Sequence, residues 1–316
     1  MGIIDVVDLK KYFPVKRGIL AKQEWLKAVD GVNFSVREGS VFALVGESGS
    51  GKSTVARLIL RLTPPTSGNI FFRGKDILTL KKKSLREFRK AVQIIFQDPF
   101  ASLNPRMTVF NTISEPLKIH KLANRSNLKD KVISLLQSVG LQADILNRYP
   151  HEFSGGQRQR ICIARALAVS PDIIIADEPL SALDVSIQAQ ILNILQELKM
   201  KLHISFLFIS HELRVVQYFS DEIAVMYLGK IVEYAKTNEL FSKPLHPYTA
   251  VLLLSAPKIN PDGHKKPVLK GDIPSPIDIP SGCPFHPRCP KCFDPCDKVV
   301  PELKEVKGRF VSCHLF

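Results

Sequence analysis

One nonapeptide constrains this chain more than any other stretch: Gly46-Glu47-Ser48-Gly49-Ser50-Gly51-Lys52-Ser53-Thr54. It follows G-x-x-x-x-G-K-[ST], the spelling of a phosphate-binding P-loop. Upstream, Val41–Val45 is a short apolar run, which predicts a buried strand. Downstream, residues 55–62 carry apolar side chains at helical spacing. A chance glycine-rich turn before a lysine is the bland alternative, and the strand-loop-helix setting argues against it. Glycines let the backbone wrap a phosphate with no Cβ in the way. Successive N–H groups and the positive end of the helix then face the anion. Lys52 can reach β- and γ-phosphates, and the Ser53 hydroxyl can ligate Mg²⁺.

A chain of 316 residues allows one large domain or two modest ones. Its longest apolar runs are well short of a membrane span. The start, Met1-Gly2-Ile3-Ile4-Asp5, lacks a basic-then-apolar signal, and Val6 does not fit a myristoylation site. These features predict a soluble, cytoplasmic protein. The net charge is +14, with eight Lys or Arg against Asp76 and Glu87 between Arg73 and Lys90. Such a cluster is either a solvated face or one drawn to an anionic membrane surface. No aromatic residues interleave with the lysines, as a single-strand nucleic-acid platform would need.

Strand-like pieces occupy residues 3–9 and 32–36. Tyr12 and Phe13 precede a proline, in a predicted loop; an aromatic there stacks on a base or packs into the core. Residues 94–96 form another short strand candidate, ended by Gln97-Asp98-Pro99. A polar side chain at a strand's exit can reach a ligand, because α/β sheets bind ligands at the carboxyl ends of strands. Residues 100–150 predict a mostly helical insertion. Within it, Val132, Leu135, Leu136 and Val139 share a helix face, and Gly140 caps it. Ser154-Gly155-Gly156-Gln157 opens a helix that runs to about Val169, either as a second anion site or as a plain cap.

Residues 173–176 predict a buried strand ending in Asp177-Glu178-Pro179. Paired carboxylates after an apolar strand need partners, since buried charge is costly. Mg²⁺ and a water suit them, with Asp177 holding the metal's shell and Glu178 polarising the water. Ser181-Ala182-Leu183-Asp184 then caps a helix whose apolar face runs Ile187, Ile191, Ile194, Leu195, Leu198 and Leu202. Residues 206–209 form a further strand, followed by Ser210-His211-Glu212. His211 is either a capping or core residue or a γ-phosphate contact, and its place at a strand end favours the contact.

This ordered set resembles the nucleotide-binding subunit of an ABC transporter, over essentially the whole chain. The resemblance implies an α/β fold: a P-loop NTPase with a RecA-like ABC ATPase core, an antiparallel β subdomain and a helical subdomain. The ATPase domain would span residues 1–258, with the helical subdomain inserted near 98–169, and an extension would cover 259–316. It implies that Gly46 to Thr54 bind the phosphates of ATP and that Tyr12 stacks on adenine. Gln97, Glu178 and His211 become catalytic, with Mg²⁺ held through Ser53, Gln97 and Asp177. Ser154, Gly155, Gly156 and Gln157 match the signature motif, which acts on a partner's ATP, and Asp184 matches the D-loop. Phe153 stands where the signature usually begins with Leu. Two such subunits pair head to tail, each ATP lying between one P-loop and the other's signature helix.

Phe96-Gln-Asp-Pro-Phe-Ala-Ser-Leu-Asn-Pro-Arg-Met107 and Pro244-Leu-His-Pro-Tyr-Thr249 resemble the dipeptide and oligopeptide importers, and Leu60-Arg-Leu-Thr-Pro-Pro-Thr-Ser-Gly68 with the Asn-Pro-Arg-Met stretch resembles their F-type subunit. That implies a peripheral ATPase on the cytoplasmic face of the cell membrane. Its implied partners are a paralogous D-type ATPase and two transmembrane permease subunits, with a solute-binding protein served indirectly and no nucleic acid. Related importers carry nickel or other small solutes. ABC-type ATPases acting on nucleic acid or ribosomes are the other alternative; the single motif set and the short interval from Gln97 to Ser154 argue against them.

Five of the six cysteines follow residue 280, after a Pro-, Lys- and Gly-rich linker that begins past Pro257. Such a cluster points to a metal or metal cluster. On spacing alone, Cys289-x-x-Cys292 suggests zinc. The importer tail's pattern instead matches Cys283, Cys289, Cys296 and Cys313, and implies a [4Fe–4S] cluster, with zinc and unligated thiols as alternatives. Cys292 is then surplus, and Cys162 is expected to be a buried, small apolar residue.

Overall fold

The computed structural model describes residues 2–16, 18, 23–255 and 274–316. The boundary expected at 258/259 and most of the predicted linker lie outside them. In chain order the strands are β1 (Ile4–Val15), β2 (Glu24–Val36), β3 (Val41–Val45), β4 (Ser67–Phe72), β5 (Lys75–Asp76), β6 (Val92–Ile95), β7 (Ile173–Asp177), β8 (Ser205–Ser210), β9 (Glu222–Tyr227), β10 (Lys230–Lys236), β11 (Lys304–Val306) and β12 (Arg309–Val311). The helices are α1 (Lys52–Ile59), α2 (Lys82–Ala91), α3 (Pro99–Ser102), α4 (Val109–Ile119), α5 (Leu128–Ser138), α6 (Gly155–Leu167), α7 (Val185–Leu202), α8 (Leu213–Phe219), α9 (Thr237–Ser242) and α10 (Pro247–Ser255). The chain divides into two compact units, residues 1–37, 41–78 and 210–316 in one and residues 38–40 and 79–209 in the other.

The first unit holds an antiparallel sheet ordered β2-β1-β4-β5. It also holds β3, paired in parallel with β9 from Phe42↔Glu222 to Val45↔Val225. From β9 the pairing continues antiparallel through β10, β12 and β11. Every residue of β3 is buried, as its unbroken apolar run requires of a strand covered on both faces. Phe34 of β2 stacks on Phe42 of β3 with ring centroids 4.9 Å apart, a pair worth about 0.5–1.5 kcal/mol beyond its buried area.

Tyr12 and Phe13 are not in a loop; they continue β1, opposite Lys27 and Leu26 of β2. The proline after them misleads a reading of the sequence. Pairing of β1 with β4 ends at Lys10↔Ser67, so β1 is an edge beyond that point. An edge tolerates Pro14, which has no N–H to give a second neighbour.

The second unit carries β6, β7 and β8 in parallel, with Ile94↔Ile175 and Ile175↔Leu207 in register. All residues of β7 and β8 are buried. The predicted strand at 94–96 begins earlier and excludes Phe96, which is exposed. Helix α5 buries Val132 and Leu136 and closes on Val139, with Gly140 at φ 72°. Helix α7 buries Ile191, Leu195 and Leu198 as expected, and also Leu192. Leu202 is exposed, because the helix ends there and His203 turns left-handed.

Candidate nucleotide site

In the first unit the P-loop runs from the buried end of β3 into α1. Two of its glycines are obligatory. A Cβ on Gly46 would stand 2.2 Å from the Met226 carbonyl oxygen, and one on Gly51 would stand 2.1 Å from that of Ala28. Gly51, at φ 106°, is also the left-handed residue that opens α1. Lys52 is buried, and its Nζ donates to the carbonyls of Gly46 at 2.8 Å and Glu47 at 2.9 Å and to Ser50 Oγ at 3.3 Å. The loop is therefore closed around its own lysine. Ser48 and Gly49 are exposed, while Ser53 and Thr54 are half-buried.

Tyr12 lies one ladder position from this loop: it pairs with Lys27, whose neighbour Ala28 presses its carbonyl on Gly51. Its hydroxyl donates to Asp30 Oδ1, and Lys27 Nζ stands 5.8 Å from its ring centroid. Burial pushes the Asp30 pKa up, but the Tyr12 hydrogen bond and the Lys230 and Lys27 charges outweigh it and hold the carboxyl below its ordinary range. His211 is exposed, just past Ser210 at the exit of β8.

In the second unit, Asp177 ends β7 and is buried. Glu178 follows at φ 48°, a conformation that costs a non-glycine residue about 1–3 kcal/mol and is held by its surroundings. Its N–H donates to Ile209 O at 2.9 Å, and its carbonyl accepts from Ser181 Oγ at 3.1 Å. Its carboxylate accepts from Gln97 Nε2 at 2.9 Å. Two residues 81 apart, each singled out at a strand exit, thus meet.

Ser154 caps α6: its Oγ accepts from Gln157 N at 3.4 Å, and its N–H donates to Gln157 Oε1 at 3.1 Å. Ser154 is exposed and Gly156 is buried. A Cβ on Gly156 would meet Ile187 Cγ2 of α7 at 2.4 Å. The second glycine is thus needed for helix packing, a role its motif did not suggest. Gln159, wholly buried, donates to Pro179 O at 2.7 Å and ties α6 to the turn after Glu178. Asp184 opens α7 through its carbonyl, which accepts from Ile187 and Gln188 at 2.9 Å.

Cys283, Cys289, Cys296 and Cys313 line one cavity together with His246 and Phe285. Burial pushes the Cys283 thiol up to about 11 and raises those of Cys289 and Cys313. Cys292 is exposed and does not line the cavity, and Cys162 is buried as expected. Among the described residues no three His, Cys, Asp or Glu side chains are gathered tightly enough to hold a single metal ion.

Tyr248 was missed as a site residue. Its hydroxyl accepts the N–H of Glu47 at 3.0 Å. Glu233, buried in β10, accepts N–H groups from Leu245 at 2.8 Å and His246 at 2.9 Å, fixing the turn that carries Tyr248. Burial raises the Glu233 carboxyl despite those bonds. The Pro-Leu-His-Pro-Tyr stretch was the available signal, though only as a likeness.

The chain is 50% identical to the oligopeptide transport ATP-binding protein AppF of Bacillus subtilis, across 99% of this chain and 97% of that one. It belongs to the ABC transporter family, as an ATP-binding subunit of the oligopeptide/dipeptide type. The dipeptide transport ATP-binding protein DppF of Escherichia coli is 45% identical over 98% of this chain and 93% of that protein. The family description "ABC transporter" matches residues 29–181, and "Oligopeptide/dipeptide transporter, C-terminal region" matches residues 232–296. Among solved structures, a dimeric ATP-binding cassette in a post-hydrolysis state with ADP and phosphate gives a TM-score of 0.66 at 27% identity, over 74% of this chain and 98% of that one. CbiO1 of Clostridium perfringens, part of an ABC transporter complex, gives 0.65 at 26% identity, over 77% and 91%. The mixed α/β P-loop fold of this subunit is thus shared with solved cassettes. Among the described residues no helix is long and apolar enough to cross a membrane.

Proposed function

We propose that this subunit binds and hydrolyses ATP to drive import of dipeptides or oligopeptides through a multisubunit ABC transporter. The observation that carries this is the pair formed by Gln97 and Glu178 just past the ends of adjacent parallel strands, in a chain with an intact P-loop. The names of its relatives favour peptides over nickel, and transport over work on nucleic acid or ribosomes.

In this reading the P-loop from Gly46 to Thr54 holds the triphosphate, Lys52 exchanging loop carbonyls for phosphate oxygens. Tyr12 supports adenine. Ser53, Gln97 and Asp177 would hold Mg²⁺, which supplies charge neutralisation on the phosphates. Glu178, aimed by Gln97, takes the proton of the attacking water, and His211 contacts the γ-phosphate. Ser154, Gly155, Gly156 and Gln157 complete a partner's site, with Asp184 beside it; their closure excludes water. The partner is a D-type paralogue, two membrane permeases dock on the pair, and the subunit sits on the cytoplasmic face of the membrane. Uptake of labelled peptide by the reconstituted complex tests the function. ATP-dependent uptake that stops with Lys52→Ala supports it, and ATP turnover with no response to any peptide refutes the substrate class.

Residues 259–316 form the proposed extension. Cys283, Cys289, Cys296 and Cys313 would hold a [4Fe–4S] cluster, which supplies either a one-electron centre or a brace. Their shared cavity supports this ligand set. Zinc on the same cysteines is the alternative.

A further inference from the structure

Glu47 brings a negative charge into a loop read as holding a triphosphate. Its carboxylate is tied off by a residue from the far end of the chain. Arg288, between Cys283 and Cys289, donates Nη1 to Oε2 at 2.8 Å and Nη2 to Oε1 at 3.0 Å. This is not a surface bridge: the Arg288 side chain is 5% exposed and that of Glu47 is 21% exposed. Nη1 also reaches Tyr227 Oη at 3.4 Å, and the guanidinium stands 5.9 Å from that ring's centroid. Tyr227 packs on Tyr248 and Phe285, at 4.7 and 5.4 Å between centroids. The backbone of Glu47 is held as well: its N–H goes to Tyr248, and its carbonyl accepts from Lys52 Nζ. Two of the three anchors on residue 47 therefore come from beyond residue 245.

A planar guanidinium fork matches a carboxylate in two parallel bonds, which fixes orientation as well as charge. Removing it leaves a largely enclosed carboxylate without that partner, at the entry of an anion site. Such a group repels phosphate and pulls the loop out of shape. We propose that Arg288 is a positioning residue of the ATP site: it neutralises Glu47 and holds the P-loop entry ready for phosphate. The cysteine-bearing extension is then part of the nucleotide site. The inference rests on reading Gly46 to Thr54 as the phosphate loop.

The test is MgATP titration calorimetry on the full chain, with unfolding midpoints measured on the same preparations without nucleotide. Arg288→Gln is expected to weaken MgATP binding about tenfold, equivalent to about 1.4 kcal/mol. Adding Glu47→Gln to it should recover most of the loss, because no charge is left to neutralise. A merely structural Arg288 would shift the midpoint and leave affinity alone, or the two substitutions would add; either result overturns the proposal. If Arg288→Gln fails to fold, Glu47→Gln alone is compared with Glu47→Gln plus Arg288→Gln: equal MgATP affinities support neutralisation of Glu47 as the role of Arg288, and a further loss of about tenfold in the double variant overturns it. Lys52→Ala separates the two claims. If it binds MgATP normally, the phosphate-loop reading fails. If it abolishes binding while Arg288→Gln binds as the unaltered chain, only the positioning role fails.

Discussion

Gly156→Ala isolates why the Ser154 motif needs its second glycine. The new Cβ would lie 2.4 Å from Ile187 Cγ2, whereas the Ile187 Cβ is 3.7 Å away, an ordinary contact. Overpacking of this kind costs about 1–3 kcal/mol. Alanine in a helix is favoured over glycine by about 1 kcal/mol, which offsets part of that. The net loss should be up to about 2 kcal/mol, or about 2–4 °C in Tm per kcal/mol for a compact unit of this size. Ile187→Ala removes the Cγ2 and leaves only the 3.7 Å contact. In that background Gly156→Ala should become neutral or stabilising by up to about 1 kcal/mol. Urea unfolding of the four proteins, read as a double-mutant cycle, should give a coupling of about 1–3 kcal/mol. The single variant should also lose ATPase activity, since α6 moves off α7 and carries Ser154 with it. An identical effect of Gly156→Ala in both backgrounds would refute the packing argument.

Tyr12→Phe keeps the ring and removes the hydrogen bond to Asp30, so MgATP affinity should persist while Tyr12→Ala loses it. The lowered folded pKa of Asp30 contributes stability above its ordinary value of 3.8, lost as pH falls through the folded value. The unaltered chain should therefore exceed Tyr12→Phe in stability by about 1 kcal/mol at pH 7, and the gap should close below pH 3.8 in unfolding titrations. Anaerobically purified protein should be brown and carry iron that Cys283→Ser removes; zinc without iron in elemental analysis would reject the cluster.

The P-loop and the Asp177-Glu178 pair were legible because strand, loop and helix are contiguous there, so local spelling determines local shape. Gln97 was legible by position, since a strand exit faces a ligand whichever residues fill the interval to Glu178. Glu233, Tyr248 and Arg288 were not. Each acts through a partner whose place depends on tertiary packing; Arg288 and Glu47 are 241 residues apart, and an isolated arginine reads as surface. The strand at Tyr12 was hidden by Pro14, because only sheet order reveals which strand is an edge. Gly156 was read through its motif, while its neighbour across the helix interface explains it.

Glu178 carries the proposed chemistry, and Glu178→Gln tests it most directly. Glutamine keeps an oxygen for Gln97 Nε2 and can adopt the same backbone, so only the proton acceptor is lost. In the assembled complex, MgATP should still bind, and hydrolysis should fall by about 10²–10⁴-fold, the range for a lost general base. Turnover at the rate of the unaltered complex would contradict Glu178 as the base, and with it the mechanism built on this site.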